Sequence, residues 1–232
     1  MYLYRGKDIK GRDELKKTCL NIIRRGYHNE IIDVLPHLRI LRSPAFQEPL
    51  LELLDKGNHD QRVAAAMALG SLGDEQAIDA LRNAFEQTGA GPDTLQTAII
   101  EALGELGSER AVTAIVELYR LPTDAFALQR THLAIGALGQ LAQQGVTAAE
   151  DELLRLMTDP DEAIRVQAVT ELSVAFWHRP TEISDRLLNV ILGLATRDTE
   201  EVRMAAKASL SNLAQLGSKA AEKHLLNIQE PS

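Results

Sequence analysis

The sequence predicts an all-α chain of stacked helical hairpins. Three observations carry this: a composition rich in Ala and Leu, an internal repeat, and glycine turns at fixed places inside the repeat. Of the 232 residues 45% are hydrophobic, enough for a packed core, yet only 4% are aromatic. That mixture suits close-packed helices rather than sheets, which favour β-branched and aromatic side chains. The repeat is explicit: AAAMALGSLGDEQAIDAL at 64–81 returns as AIIEALGELGSERAVTAI at 98–115, an offset of 34. With the leucine of each ALG triplet as anchor the series runs Leu69, Leu103, Leu138, Leu172, Leu210, with spacings of 34, 35, 34 and 38. A period of this length holding two helix patterns means hairpins that each need a neighbour to bury their apolar faces.

Taken in order, ELKKTCLNIIRRG predicts an N-terminal capping helix. YHNEIIDVLPHLRIL predicts a helix that Pro36 should kink, and SPAFQEPLLELLDKG its partner, with Ser43 as cap and Pro44 in the first turn. In the first clear unit Val63, Ala66, Met67 and Gly70 recur at helical spacing, and their small members let the next helix approach; Gly104 holds the same place in the second unit. Gly73 should end that helix in the left-handed conformation, with Asp74, or Ser108 one unit later, capping the helix that follows. Second helices show Ala77, Ile78, Leu81 and Phe85, then Ala111, Val112, Ile115 and Leu118, each an apolar stripe facing the stack. SKAAEKHLLNI should close the array with its polar side to water, and the tail QEPS should fray. In all, about 12 to 14 antiparallel helices and no sheet are expected.

This pattern, ALGxLG closing the first helix and a small–apolar pair opening the second, resembles the HEAT-like repeats of phycobilin lyase subunits over about residues 58–228. The resemblance implies an all-α, right-handed α-α superhelix, a HEAT-repeat solenoid. Residues 1–57 would be an N-terminal capping helix and a degenerate unit, and residues 58–228 five repeats with a C-terminal cap, in a single continuous solenoid. It also implies a structural role for the arginine seven positions before the anchor, found as Arg62, Arg165 and Arg203 and replaced by Gln96 and Thr131 in units two and three. Such arginines pair with acids at neighbouring turns, for which Asp60, Asp161 and Asp198 are candidates. In a HEAT superhelix the second helices line the concave face, which would place Asp79, Asn83, Glu86, Thr113, Glu117, Arg120, Asp151, Arg155, Asp185 and Asn189 there as partner-binding positions.

Departures from the repeat are the irregular loops: EQTGAGPD in unit one, LAQQGVTAAED in unit three and AFWHRPTEIS in unit four. In the last, Trp177 either covers an apolar gap left by the missing glycine turn or, with Arg179, anchors a partner, since exposed Trp and Arg often dominate binding.

Chemistry is sparse. The histidines, His28, His37, His59, His132, His178 and His224, include no pair four residues apart, and there is no His-Glu dipeptide and no cysteine cluster. The pattern therefore departs from deoxyhypusine hydroxylase, a HEAT enzyme whose irons sit on His-Glu pairs, and calls for no metal or cofactor. GAGPD lacks the Lys-Ser/Thr of a phosphate loop, and Cys19 lies in an apolar helix pattern. HEAT-like DNA glycosylases use a basic, tryptophan-lined groove; this chain has one Trp and a net charge of −8. Residues 1–42 hold ten Lys/Arg against five acids, about +5, leaving near −13 for the remainder. An acidic body disfavours nucleic acid, although the basic end, otherwise a solvated helix, could bind it locally. One cysteine, no apolar secretory start and no run near the roughly 20 apolar residues a bilayer needs lead us to expect a cytoplasmic protein without a membrane span.

The leading expectation is a noncatalytic scaffold or adaptor that binds another protein, with a basic segment fitting its acidic surface. The resemblance supplies an alternative, a phycobilin lyase subunit or related pigment-protein handling factor, and the basic N-terminal end a second, a nucleic-acid binder.

Overall fold

The structure, a computed structural model, describes residues 9–88, 93–121 and 127–229. The first eight residues, the GAGP of the unit-one loop and the end of the tail after Gln229 lie outside the described residues. Among the described residues there are thirteen α-helices and no strand: α1 (Ile9–Arg25), α2 (His28–Leu41), α3 (Gln47–Lys56), α4 (His59–Leu72), α5 (Ile78–Glu86), α6 (Thr94–Glu105), α7 (Glu109–Tyr119), α8 (Ala127–Gln143), α9 (Thr147–Leu156), α10 (Glu162–Ala175), α11 (Asp185–Arg197), α12 (Glu200–Gln215) and α13 (Lys219–Gln229). None is long and apolar enough to cross a membrane. The fold class is thus an all-α helical repeat.

Contacts divide the chain into two compact units, Met1–Leu106 and Gly107–Ser232. In the first, α4 packs against α2, α3 and α6. Being enclosed on several sides, α4 has no polar face over its second half: Ala64, Ala65, Ala66, Ala68, Leu69, Gly70, Ser71 and Leu72 are all buried. In the second unit α10 is enclosed in the same way by α8, α9 and α12. The second helices are one-sided instead. On α5, Ile78, Leu81, Ala84 and Phe85 are buried; on α7, Ala111, Val112, Ala114, Ile115 and Leu118.

The turns follow the local chemistry. Gly73 sits at φ 73°, ψ 29°, and its amide donates to the Leu69 and Gly70 carbonyls, which ends α4. Asp74 Oδ1 then accepts from the Gln76 amide at 3.0 Å, and Ser108 Oγ from the Ala111 amide at 3.3 Å. Asn58 and Gln61 add a reciprocal capping box at the start of α4. One local expectation changes. Helix α2 includes Pro36 and buries Ile31, Val34, Leu38 and Leu41, as a helix there requires, but Ser43 occupies the cap of a single 3-10 turn (Pro44–Phe46) without a side-chain capping bond.

Small residues set how near the first helices come. A Cβ placed on Gly70 would lie 2.6 Å from the Cα of Ala102 and 2.9 Å from its Cβ, so α4 and α6 touch through backbone. In the second unit the residue facing Gly139 is Glu171, whose Oε2 would lie 2.6 Å from such a Cβ. Burial pushes the pKa of this carboxyl up.

These contacts separate two glycines of the same secondary structure. Gly70→Ala should destabilise the protein by about 1 to 3 kcal/mol, because backbone cannot yield as a side chain would. Gly136→Ala, in α8 with nothing within 4 Å of the new Cβ, should stabilise it by about 0.5 to 1 kcal/mol. Denaturant unfolding of both variants checks this; similar shifts in one direction would contradict the close approach.

Candidate functional site

The apolar stripe of each second helix fixes which residues face water. On α5 the opposite side carries Asp79, Asn83 and Glu86, all exposed; on α7 it carries Thr113, Glu117 and Arg120, again at i, i+4 and i+7. Asp151 and Arg155 on α9 and Asp185 and Asn189 on α11 are exposed too. One repeat position, seventeen residues after the anchor leucine, holds Glu86, Arg120, Arg155 and Asn189. Exposure is constant there while the chemistry varies.

In the second unit the structure gathers two of these residues around two that sequence reading passed over. Glu152 Oε1 accepts from Arg155 Nε at 2.9 Å, from Arg120 Nη2 at 3.2 Å and from the Tyr119 hydroxyl, which itself accepts from Arg155 Nη2. Arg120 lies 5.8 Å from the centroid of the Tyr119 ring. Burial pushes the Glu152 carboxyl up, but hydrogen bonds from Arg155 and Tyr119 and the charges of Arg155 and Arg120 outweigh it and hold the group below the usual carboxylate range. Burial, then the Glu152 carboxylate, raises the Tyr119 phenol, which stays protonated and donates. Counting from the anchor would have found Glu152, since Asn83, Glu117, Glu152 and Arg186 are all fourteen residues after it. Asp151, one residue earlier, pairs instead with Arg186 at 2.7 Å.

The irregular turn between α10 and α11 resolves differently for its two candidates. Phe176, 1% exposed, fills the gap left by the missing glycine turn. The Arg179 guanidinium stacks on that ring at 4.4 Å, bonds Glu150 Oε1 at 2.7 Å and donates to the Ala142 carbonyl. Trp177 remains 48% exposed. Arg179→Ala should therefore cost about 1.5 to 3 kcal/mol, the range for a charged hydrogen bond whose buried partners are left behind, and Trp177→Ala under about 1. Thermal melts in the reverse order would mean that the tryptophan holds the turn.

The arginines before the anchors are likewise structural. Arg165 makes a two-pronged pair with Asp198, Nη2 to Oδ1 at 2.8 Å and Nε to Oδ2 at 3.2 Å. Arg203 bonds the Asp198 carbonyl at 3.0 Å and Glu200. Arg62, by contrast, bonds the carbonyls of Leu54 at 2.9 Å and Ala84 at 3.5 Å, not Asp60. Asp161 is not Arg165's acid because its carboxylate caps α10 on the Ala163 amide at 2.8 Å.

Arg165, followed by the Thr199 amide, holds the Asp198 carboxyl below the usual range despite partial burial. The folded protein therefore binds this proton less readily than the unfolded chain, where the value is about 3.9. The stabilisation is complete above that value and is lost as pH falls through the depressed folded value. Asp198→Asn should cost about 1 to 3 kcal/mol at neutral pH and less as the solution is acidified. Parallel pH–stability curves for variant and wild type would contradict this.

Other reactive groups are engaged in structure. Cys19 is fully buried, which raises its thiol pKa. His28 Nδ1 lies 2.7 Å from the Asp60 carbonyl oxygen and His59 Nε2 2.8 Å from Thr94 Oγ1, while His132 meets Gln167. Among the described residues no three His, Cys, Asp or Glu side chains converge as a metal site requires. What the exposed faces offer chemically is fixed charge and hydrogen bonding.

Comparison with known proteins follows the same lines. The profile of the family described as HEAT repeats matches residues 47–136. The complex of CpcE and CpcF of phycocyanin lyase from Nostoc sp. PCC7120 is similar in structure, with a TM-score of 0.49, 17% identity and coverage of 99% of this chain and 92% of that one. An engineered protein gives a TM-score of 0.37 and 18% identity over 93% of this chain and 95% of its own. No curated protein matches. The family match thus covers residues 47–136, and helical pairs follow it in the chain as far as α13.

Proposed function

We propose that the chain is a noncatalytic scaffold or adaptor that holds another protein on the exposed faces of its second helices. The observation that carries this reading is the repeat position seventeen residues after the anchor, where Glu86, Arg120, Arg155 and Asn189 are exposed in successive units beside buried Phe85, Leu118 and Leu154. Repetition with changing chemistry suits recognition of another protein, in which many modest contacts add. On α5 Asp79 and Glu86 are exposed acids, and on α7 Glu117 is another, which favours a partner with basic residues. Asp185 and Asn189 extend the polar row on α11.

A second reading, a phycobilin-lyase-type subunit or related pigment-protein handling factor, is favoured by the ALGxLG pattern of residues 68–73 and 102–107. Coexpression with bilin separates the two: absorbance carried by the purified chain supports the second reading and counts against the first.

The scaffold reading is tested with a fluorescein-labelled, Lys/Arg-rich peptide titrated into the full chain. Glu86→Lys with Glu117→Lys should weaken binding about tenfold and flatten its salt dependence, because exposed charge pairs are screened by ions. The melting midpoint should change little, both side chains being exposed. Unchanged affinity in the double variant, with loss on Trp177→Ala, would move the site to the α10–α11 turn.

A further inference from the structure

We propose that Arg120 and Arg155 form a receptor for a single carboxylate, an Asp or Glu side chain of a partner protein, with Tyr119 and Glu152 as the residues that position them. The inference rests on the scaffold reading and names the chemistry of one point on it.

The charge count comes first. Two guanidinium groups surround one carboxylate, so the cluster carries a net charge of about +1 on a surface where Glu117 and Asp151 are exposed. The burial of its members is unequal. The Glu152 side chain is 13% exposed, whereas those of Arg120 and Arg155 are 53% and 45% exposed. The anion is thus sunk into the helix layer as a foundation, and the cations stand above it. Arg155 is fixed at two points, Nε on Glu152 and Nη2 on the Tyr119 hydroxyl, and Arg120 at one. Holding an arginine fork in place beforehand lowers the conformational entropy lost when a ligand binds.

The same features select the ligand. Guanidinium forks match the planar, two-oxygen geometry of a carboxylate, whereas Glu152 meets both arginines and Tyr119 through one oxygen, Oε1. A residual charge near +1 is balanced by a monoanion, while a phosphate dianion would leave the site with an excess of negative charge. Tyrosine and arginine are also the residue types on which binding energy concentrates. In the second unit the fitting segment therefore places a carboxylate at Arg120 and Arg155 and a basic residue toward Glu117, which is three residues before Arg120 on α7.

The test uses short random peptides displayed on phage and selected against the full chain, with the binders then measured by fluorescence anisotropy. Binders should be enriched in Asp or Glu. Replacing that residue by its amide should cost about tenfold, Arg120→Ala with Arg155→Ala should cost the same, and the two changes together little more than either. Arg155→Lys, which keeps the charge and loses the fork, should cost several-fold. Melting midpoints of each variant separate lost binding from lost fold, and Arg120→Ala alone, tied at a single point, gives a second reading if the double variant unfolds. Binders that ignore both arginines yet fail on Glu86→Lys with Glu117→Lys overturn the receptor and leave the scaffold standing. Inorganic phosphate competing better than the carboxylate peptide overturns the choice of ligand. A wild-type chain that selects no peptide overturns both readings.

Discussion

Everything in this chain depends on how closely consecutive first helices approach. Where Gly70 meets Ala102 the backbones are in contact, and even a methyl group on Gly70 would lie within 3 Å of Ala102. That distance allows α4 to be buried along its whole second half, and the burial in turn makes an alanine-rich helix worth forming, since alanine contributes little apolar area by itself. A single hairpin has no such contact and could not bury its own stripe. The repeat period and the small residues beside each anchor express one requirement.

Close approach leaves little room to err in register, and much of the polar chemistry serves that end. His28 to Asp60, His59 to Thr94 and Arg165 to Asp198 each tie one first helix to the start of the next within their unit. These residues resemble ingredients of active sites in the sequence, and the fold uses them as stitches. The second helices bury one face, and their charged residues collect on the other. Function, on this architecture, is expected where the packing requirement is weakest.

How legible this was depends on how local each cause is. Gly73 ending α4 and Asp74 or Ser108 capping the next helix were readable because the turn is specified within three or four residues. The Arg165–Asp198 pair was readable only as one of several, since Asp60 and Asp161 occupy similar places; Asp161 was already committed to its cap. Tyr119 and Glu152 were missed because the contact lies one repeat apart on the second helices. Trp177 drew attention by its type, yet Phe176 had the smaller ring that the gap could enclose. Burial is a property of the neighbours, which one residue's identity does not encode.

Arg179 and Arg120 show how such a structure divides charge between holding itself and meeting a partner. Each binds a carboxylate of similar burial, Glu150 at 16% exposure and Glu152 at 13%. The cations differ. Arg179 is 22% exposed, sits on a buried ring and donates to a backbone carbonyl, so its binding capacity is spent on the turn. Arg120 stands more than half exposed over an anion it shares with Arg155. An ion pair buried on both sides fixes a conformation and gives little to a ligand, because separating it would strand a charge. A pair buried only on its anionic side fixes the position of the cation while leaving its outer surface in water, where an approaching carboxylate replaces solvent without displacing the foundation. Sharing one Glu152 between two arginines extends this, because the surplus positive charge has no internal partner to lose.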